Sequence, residues 1–192
     1  MRPCFTIGVA ALAPGSTAVV GAQERDRYVL LAAARTGTMQ EEINTAAASG
    51  YRVIAASRTD GNEVVVVLEQ TAGKYEYRLL ATTRTGTLQK EMNDAAEAGY
   101  RVVPRAVTTK RSAGAGGLAR ALVNSNRDEG ELLILMEKSP EGNSGALYQV
   151  LATERTGTLQ KEISGAASKG FRLVTLVSRD EHLAIMERTS GQ

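Results

Sequence analysis

Arg84-Thr-Gly-Thr-Leu-Gln-Lys-Glu91 recurs unchanged at 155–162 and, with Met for Leu and Glu for Lys, as Arg35-Thr-Gly-Thr-Met-Gln-Glu-Glu42. The likeness extends outward from this core. Aligned without gaps, residues 28–54 match 77–103 at 17 of 27 positions, and 77–103 match 148–174 at 17 of 27. Self-similarity at this spacing marks a chain assembled from repeated supersecondary units, each too small to bury its apolar face alone.

Each copy opens with a short apolar run at 28–33, 77–81 and 148–152, of the length and composition of a buried strand. Arg-Thr-Gly-Thr then turns the chain. Gly37, Gly86 and Gly157 permit the bend, and Thr38, Thr87 and Thr158 stand where helix N-caps are expected, with Glu41 completing a capping box in the first copy. Glu42, Glu91 and Glu162 follow near the positive end of the helix dipole. Met39, Ile43, Ala46, Ala47 and Gly50 form one apolar stripe at helical spacing, repeated from Leu88 to Gly99 and from Leu159 to Gly170. The glycine that ends each stripe suits a left-handed helix cap, with Tyr51, Tyr100 or Phe171 packing back on the last turn.

A second strand is read at 52–56, 101–107 and 172–177; Pro104 lacks an N–H, which places that strand at an edge or in a bulge. A third strand at 64–68, 132–136 and 183–186 is apolar on both faces and runs into Glu69, Glu137 or Glu187. Asp60-Gly61-Asn62 and Arg179-Asp180-Glu181 make hairpin turns between strands two and three. The unit is therefore β-α-β-β, and a right-handed crossover puts its third strand between the other two. The expected fold is α+β: three β-α-β-β repeats, antiparallel sheet with helices packed on one face, sharing one core. Repeat 1 is expected at 23–74, repeat 2 at 75–145 with a Gly-rich, locally basic hairpin insertion at about 109–130, and repeat 3 at 146–192.

The first 22 residues differ from the rest: Arg2 is their single charge, an apolar core follows, and Val20-Gly21-Ala22 suits signal peptidase. Export to the periplasm or medium, with cleavage near Ala22, is expected. The apolar core is too short for a stable membrane anchor. Cleavage would remove Cys4, the sole cysteine, and with it any disulfide or thiolate metal site. With 23 basic against 21 acidic residues, the chain shows no bulk attraction to nucleic acid or anionic lipid.

Tyr77, Leu80, Leu88, Met92, Asn93, Ala96, Gly99, Tyr100, Val102, Val103 and the run 134–137, with their counterparts in the other copies, carry a resemblance. On these residues each unit resembles the short bacterial units of the domain-of-unknown-function 4177 family, with Tyr or Phe after the helix-ending glycine where the family prefers Trp. The resemblance implies a fold and brings no known activity, so no catalytic residue is carried over.

The chemistry-bearing residues are few. His182, with Ser178 and Asp180, lies within one tight hairpin, where triad geometry rarely converges. One histidine, and an Asp60-Gly61-Asn62-Glu63 run far short of a calcium loop, point to no metal or other cofactor. Arg-Thr-Gly-Thr before a helix offers a cation, hydroxyls and helix-start N–H groups to an anion, although it lacks the rest of a Walker loop. The candidate ligand-binding residues are Arg35, Thr36, Thr38, Arg84, Thr85, Thr87, Arg155, Thr156 and Thr158; the alternative role for each arginine is pairing with a glutamate such as Glu42 or Glu69. The functional expectation is a non-catalytic binding or structural module with a protein or small-anion partner. Anion or small-ligand binding at the helix starts is the alternative, and a carboxylate-based hydrolase a weaker one. Open strand edges offer a route to homo-oligomers.

Overall fold

The computed structural model describes residues 26–59, 63–110, 131–142, 145–178 and 181–189. The leader expected at 1–22, Cys4, Asp60-Gly61-Asn62, Asp180 and residues 111–130 of the expected insertion lie outside the described residues. The first unit contains β1 (Tyr28–Ala33), α1 (Thr36–Ala48), β2 (Tyr51–Arg58) and β3 (Val64–Gln70). The second contains β4 (Glu76–Thr82), α2 (Thr85–Glu97), β5 (Arg101–Lys110) and β6 (Glu131–Lys138). The third contains β7 (Ala146–Thr153), α3 (Thr156–Ala167), β8 (Arg172–Ser178) and β9 (His182–Thr189). The fold is α+β, in three β-α-β-β repeats.

Each unit forms its own antiparallel sheet, ordered β1-β3-β2, β4-β6-β5 and β7-β9-β8, with the third strand central as the crossover rule requires. The units share cores because α1 and α2 each lie between two sheets. Met39, Ile43 and Ala47 of α1 pack on Val64, Val66 and Leu68 of their own sheet and also join Leu133 and Leu135 of the next. Leu88, Met92 and Ala96 of α2 stand likewise between Leu132, Ile134 and Met136 on one side and Leu183 and Ile185 on the other. The resulting stack alternates sheet and helix and ends on α3, whose core is the smallest: Leu151, Leu159, Ala166, Phe171, Ala184 and Met186.

This stacking explains the central strands. From Leu132 to Met136 every residue of β6 is buried, because one face meets α2 and the other meets the first unit. Strand β3, with no unit before it among the described residues, alternates: Val64, Val66 and Leu68 are buried, while Val65 and Val67 are half-buried. The apolar run of β3 is thus covered fully on one face only.

The helices end as the glycines foretell. Gly50, Gly99 and Gly170 have φ of 91°, 90° and 83°. The N–H groups of Gly99 and Tyr100 return to the carbonyls of Ala96 and Ala95, and those of Gly170 and Phe171 to Ala167 and Ala166, the paired bonds of a Schellman cap. The helix starts differ from expectation. Helices begin at Thr36, Thr85 and Thr156, three residues earlier than caps at Thr38, Thr87 and Thr158 would set them, so these threonines lie inside the first turn and do not cap. Arg35, Arg84 and Arg155 occupy the cap positions with extended backbone and no side-chain cap bond, and no acidic residue lies in any first turn. The capping box at Glu41 is therefore not formed, and Glu42, Glu91 and Glu162 sit well into the helices, where the dipole has faded.

Pro104 lies in the edge strand β5 and in a bulge. Pairing to β6 steps from Val102–Met136 to Val107–Ile134, a wider break than the Val53/Ala55 and Leu173/Thr175 shifts of β2 and β8. Val103 and Ala106 of this bulge pack into the core of the first unit.

Candidate functional site

Arg-Thr-Gly-Thr makes a tight strand-to-helix turn three times. Among the described residues Arg35, Arg84 and Arg155 form no ion pair, and each is exposed. They do not pair with Glu42 or Glu69. The hydroxyls of Thr82 and Thr153, two residues upstream, accept the N–H of Arg84 at 3.0 Å and of Arg155 at 3.2 Å; Ala33 holds that place in the first copy. Thr36 Oγ1 donates to Glu131 Oε2 at 3.3 Å, so the first helix start faces a carboxylate of the second unit. Thr38, Thr87 and Thr158 are exposed. Among the described residues no hydrogen bond or ion pair joins one turn to another.

The polar residues that converge lie elsewhere. At the first junction the Tyr77 hydroxyl donates to Glu137 Oε2 at 2.7 Å and accepts the backbone N–H of Val53 at 2.9 Å. Arg52 closes a fork on the same carboxylate, Nε to Oε2 at 3.0 Å and Nη2 to Oε1 at 2.9 Å, with its guanidinium 4.7 Å from the Tyr75 ring centre. The second junction repeats the set: Tyr148 donates to Glu187 Oε2 at 2.6 Å and accepts Val102 N–H at 2.9 Å, and Arg101 pairs with Glu187 Oε1. Tyrosine and glutamate come from one unit, arginine and the backbone N–H from the unit before it. In the first unit, which has no predecessor among the described residues, Glu69 pairs instead with Arg27 at 2.9 Å in an exposed contact.

Helix amides complete each junction. Strands β4 and β7 are edge strands, whose outer backbone groups would otherwise lie open. Gln40 donates to Tyr77 O at 2.9 Å and accepts Leu79 N–H at 2.6 Å, while Asn44 accepts Tyr77 N–H at 3.1 Å. Asn93 bonds both the N–H of Tyr148 at 2.7 Å and its carbonyl at 3.2 Å, and Gln89 accepts Val150 N–H at 3.0 Å. The side chains act as a missing strand and close these two edges to pairing with another chain. In the third unit Gln160 turns onto Ser164 of its own helix at 3.1 Å.

Burial and charge are balanced at these sites. A carboxylate at an apolar interface is costly unless its lone pairs are satisfied, and Arg52 and Tyr77 supply three bonds to Glu137. Burial first, and then the bond to the carboxylate, push the Tyr77 and Tyr148 phenols well above the usual tyrosine range. Arg52 and Arg101 are raised chiefly by their bonds to Glu137 and Glu187. The phenols thus stay neutral donors, and the guanidiniums stay charged.

Ser178 Oγ and His182 Nδ1 stand 2.9 Å apart as cross-strand neighbours of the last hairpin. An open groove of about 420 Å³ runs beside the Pro104 bulge, lined by Arg52, Glu69, Thr71, Pro104 and Arg105 among others. Among the described residues no three histidine, cysteine or acidic side chains cluster as a metal site, and no helix is long and apolar enough to cross a membrane. Comparison with protein-family models, curated proteins and solved structures finds no match for this chain.

Proposed function

We propose that this chain is an exported, non-catalytic binding or structural module, a short rod of stacked units. One observation carries the reading: Tyr77/Tyr148, Arg52/Arg101, Glu137/Glu187 and the Gln and Asn of the helices engage one another between units. Polar groups retained through the repeat are thus occupied in holding units in register, a use for which buried ionic and amide groups are well suited. The likeness of each unit to the domain-of-unknown-function 4177 family agrees with this, since that family brings a fold and no activity. The leader proposed at 1–22 is tested by sequencing the N-terminus of the mature protein, which is expected to begin at Gln23.

The competing reading places small anions at the helix starts of Arg35, Arg84 and Arg155. A thermal-shift series with phosphate, sulfate and small carboxylates separates the two. The wild-type chain and the triple Arg35→Ala, Arg84→Ala, Arg155→Ala variant are expected to respond alike. A midpoint raised by one anion in the wild type, and unmoved in the triple variant, would replace the structural reading with anion binding.

A further inference from the structure

The two ends of the stack are the two halves of its internal junction. The outer face of the first sheet carries Tyr28, Leu30 and Glu69, the counterparts of Tyr77, Leu79 and Glu137. Tyr28 is 49% exposed, against 3% for Tyr77 and 1% for Tyr148, and Leu30 is exposed as well. The other end carries Gln160, Arg172 and Leu173, the counterparts of Gln40, Arg52 and Val53. Leu173 is 50% exposed where Val53 is 2%. Arg172 makes no ion pair with any described residue. One end thus presents a carboxylate beside a tyrosine and a leucine, and the other a guanidinium beside a leucine and an amide.

We infer that a second copy of this chain docks head to tail, its first sheet seated on α3 and β8 as the second and third sheets are seated on α1 and α2. Glu69 receives Arg172 of the neighbouring copy as Glu137 receives Arg52, and Arg27, which now holds Glu69 from solvent, shares the carboxylate or yields it. Tyr28 and Leu30 close over Leu173, and Gln160 leaves Ser164 for the open edge of β1. The contact is heterologous, so it extends into filaments or closes into rings. Its one weak point is Ser164, where the internal junctions have Asn44 and Asn93: a serine is too short to bond an edge strand as those amides do. End-to-end docking is accordingly weaker than the junctions within the chain. The inference rests on the structural reading above and fails separately from it, because a chain that stays single leaves the internal junctions intact.

Sedimentation velocity on the full chain across a concentration series tests this. The wild-type mass is expected to rise with concentration, and Ser164→Asn to lower the half-association concentration by about ten-fold, the worth of one added hydrogen bond. Leu30→Asp blocks the first end and Leu173→Asp the second; both side chains are exposed in the single chain, so the thermal midpoint should not move. Each variant alone should remain a monomer, and the two mixed in equal amounts should form a dimer that goes no further. Arg172→Glu serves as a second block of the same end. A wild-type chain that stays monomeric up to about 1 mM overturns the proposal, this being the range of the weakest specific contacts. So does association that survives either block alone, or a mixture that remains monomeric.

Discussion

The most faithfully repeated segment and the most heavily bonded residues of this chain occupy different places. Arg-Thr-Gly-Thr is kept in all three copies, yet its arginines reach solvent and its hydroxyls make few contacts. The Tyr, Arg and Glu of the junctions are also kept three times, and wherever two units meet they interlock within hydrogen-bond distance. Repetition therefore records two separate demands. A local demand, to turn from strand into helix, acts inside every unit and is met by the segment itself. A non-local demand, to seat the next unit, acts only where a neighbour exists; where none is described, Tyr28 and Arg172 lie exposed and Glu69 pairs with Arg27 of its own unit.

Raising the pH strains this contrast most. Folding lifts the Tyr77 and Tyr148 phenols above the ordinary value of 10.0, so the folded state holds their protons more tightly than the unfolded chain does. Their contribution is complete below pH 10.0 and falls away as pH climbs from there toward the folded-state values. Both junctions should open together in this range. Phenolate absorbance of these two residues should rise with loss of far-ultraviolet circular dichroism, and Tyr77→Phe with Tyr148→Phe should remove that coupling.

Deleting a single junction carboxylate comes next. Glu137→Ala leaves Arg52 and the Tyr77 hydroxyl without their acceptor at a buried interface, and is expected to cost about 2–4 kcal/mol in urea unfolding. Glu69→Ala removes the equivalent residue from the exposed first face and should cost less than about 0.5 kcal/mol. Equal losses at the two positions would show that position in the stack does not govern the role of this glutamate.

The helix amides sharpen the same comparison at smaller scale. Gln40→Ala strips two bonds from the edge of β4, leaving Tyr77 O and Leu79 N–H without them, at about 1–2 kcal/mol. Gln160→Ala, whose amide bonds only Ser164 among the described residues, should be neutral in the monomer. Chemical denaturation of the two single variants side by side decides the matter.

Much of the fold could be read because its determinants are local. Helical spacing, the glycines at 50, 99 and 170, and the crossover rule are properties of a few consecutive residues, and the structure follows them. The junctions could not be read in the same way. Periodicity places Tyr77 and Glu137 on one face of a sheet, but does not say that Arg52, from the previous unit, stands opposite. The available signal was chemical: a tyrosine, an arginine and a glutamate kept three times within otherwise apolar strands. The cap position departs from the sequence expectation for a related reason. Thr36 and Thr38 both suit an N-cap by type, and the chain enters the helix at Arg35, before either can act.

The arginines of the turns mark the lower end of the scale. Each sits at a helix start, where its positive charge opposes the dipole and a negative one would be favoured. None forms an ion pair with a described residue, so removing one breaks no bond that folding made. Arg35→Ala, Arg84→Ala and Arg155→Ala should each change stability by less than about 0.5 kcal/mol, and with no shared partners the three effects should add. Relief from the dipole would push the sum toward slight stabilisation, most clearly at low salt, where screening is weakest. A triple variant that unfolds at markedly lower urea would instead place these guanidiniums in an interaction that helps hold the fold together, and would join the turn to the junctions as a second structural element of the repeat.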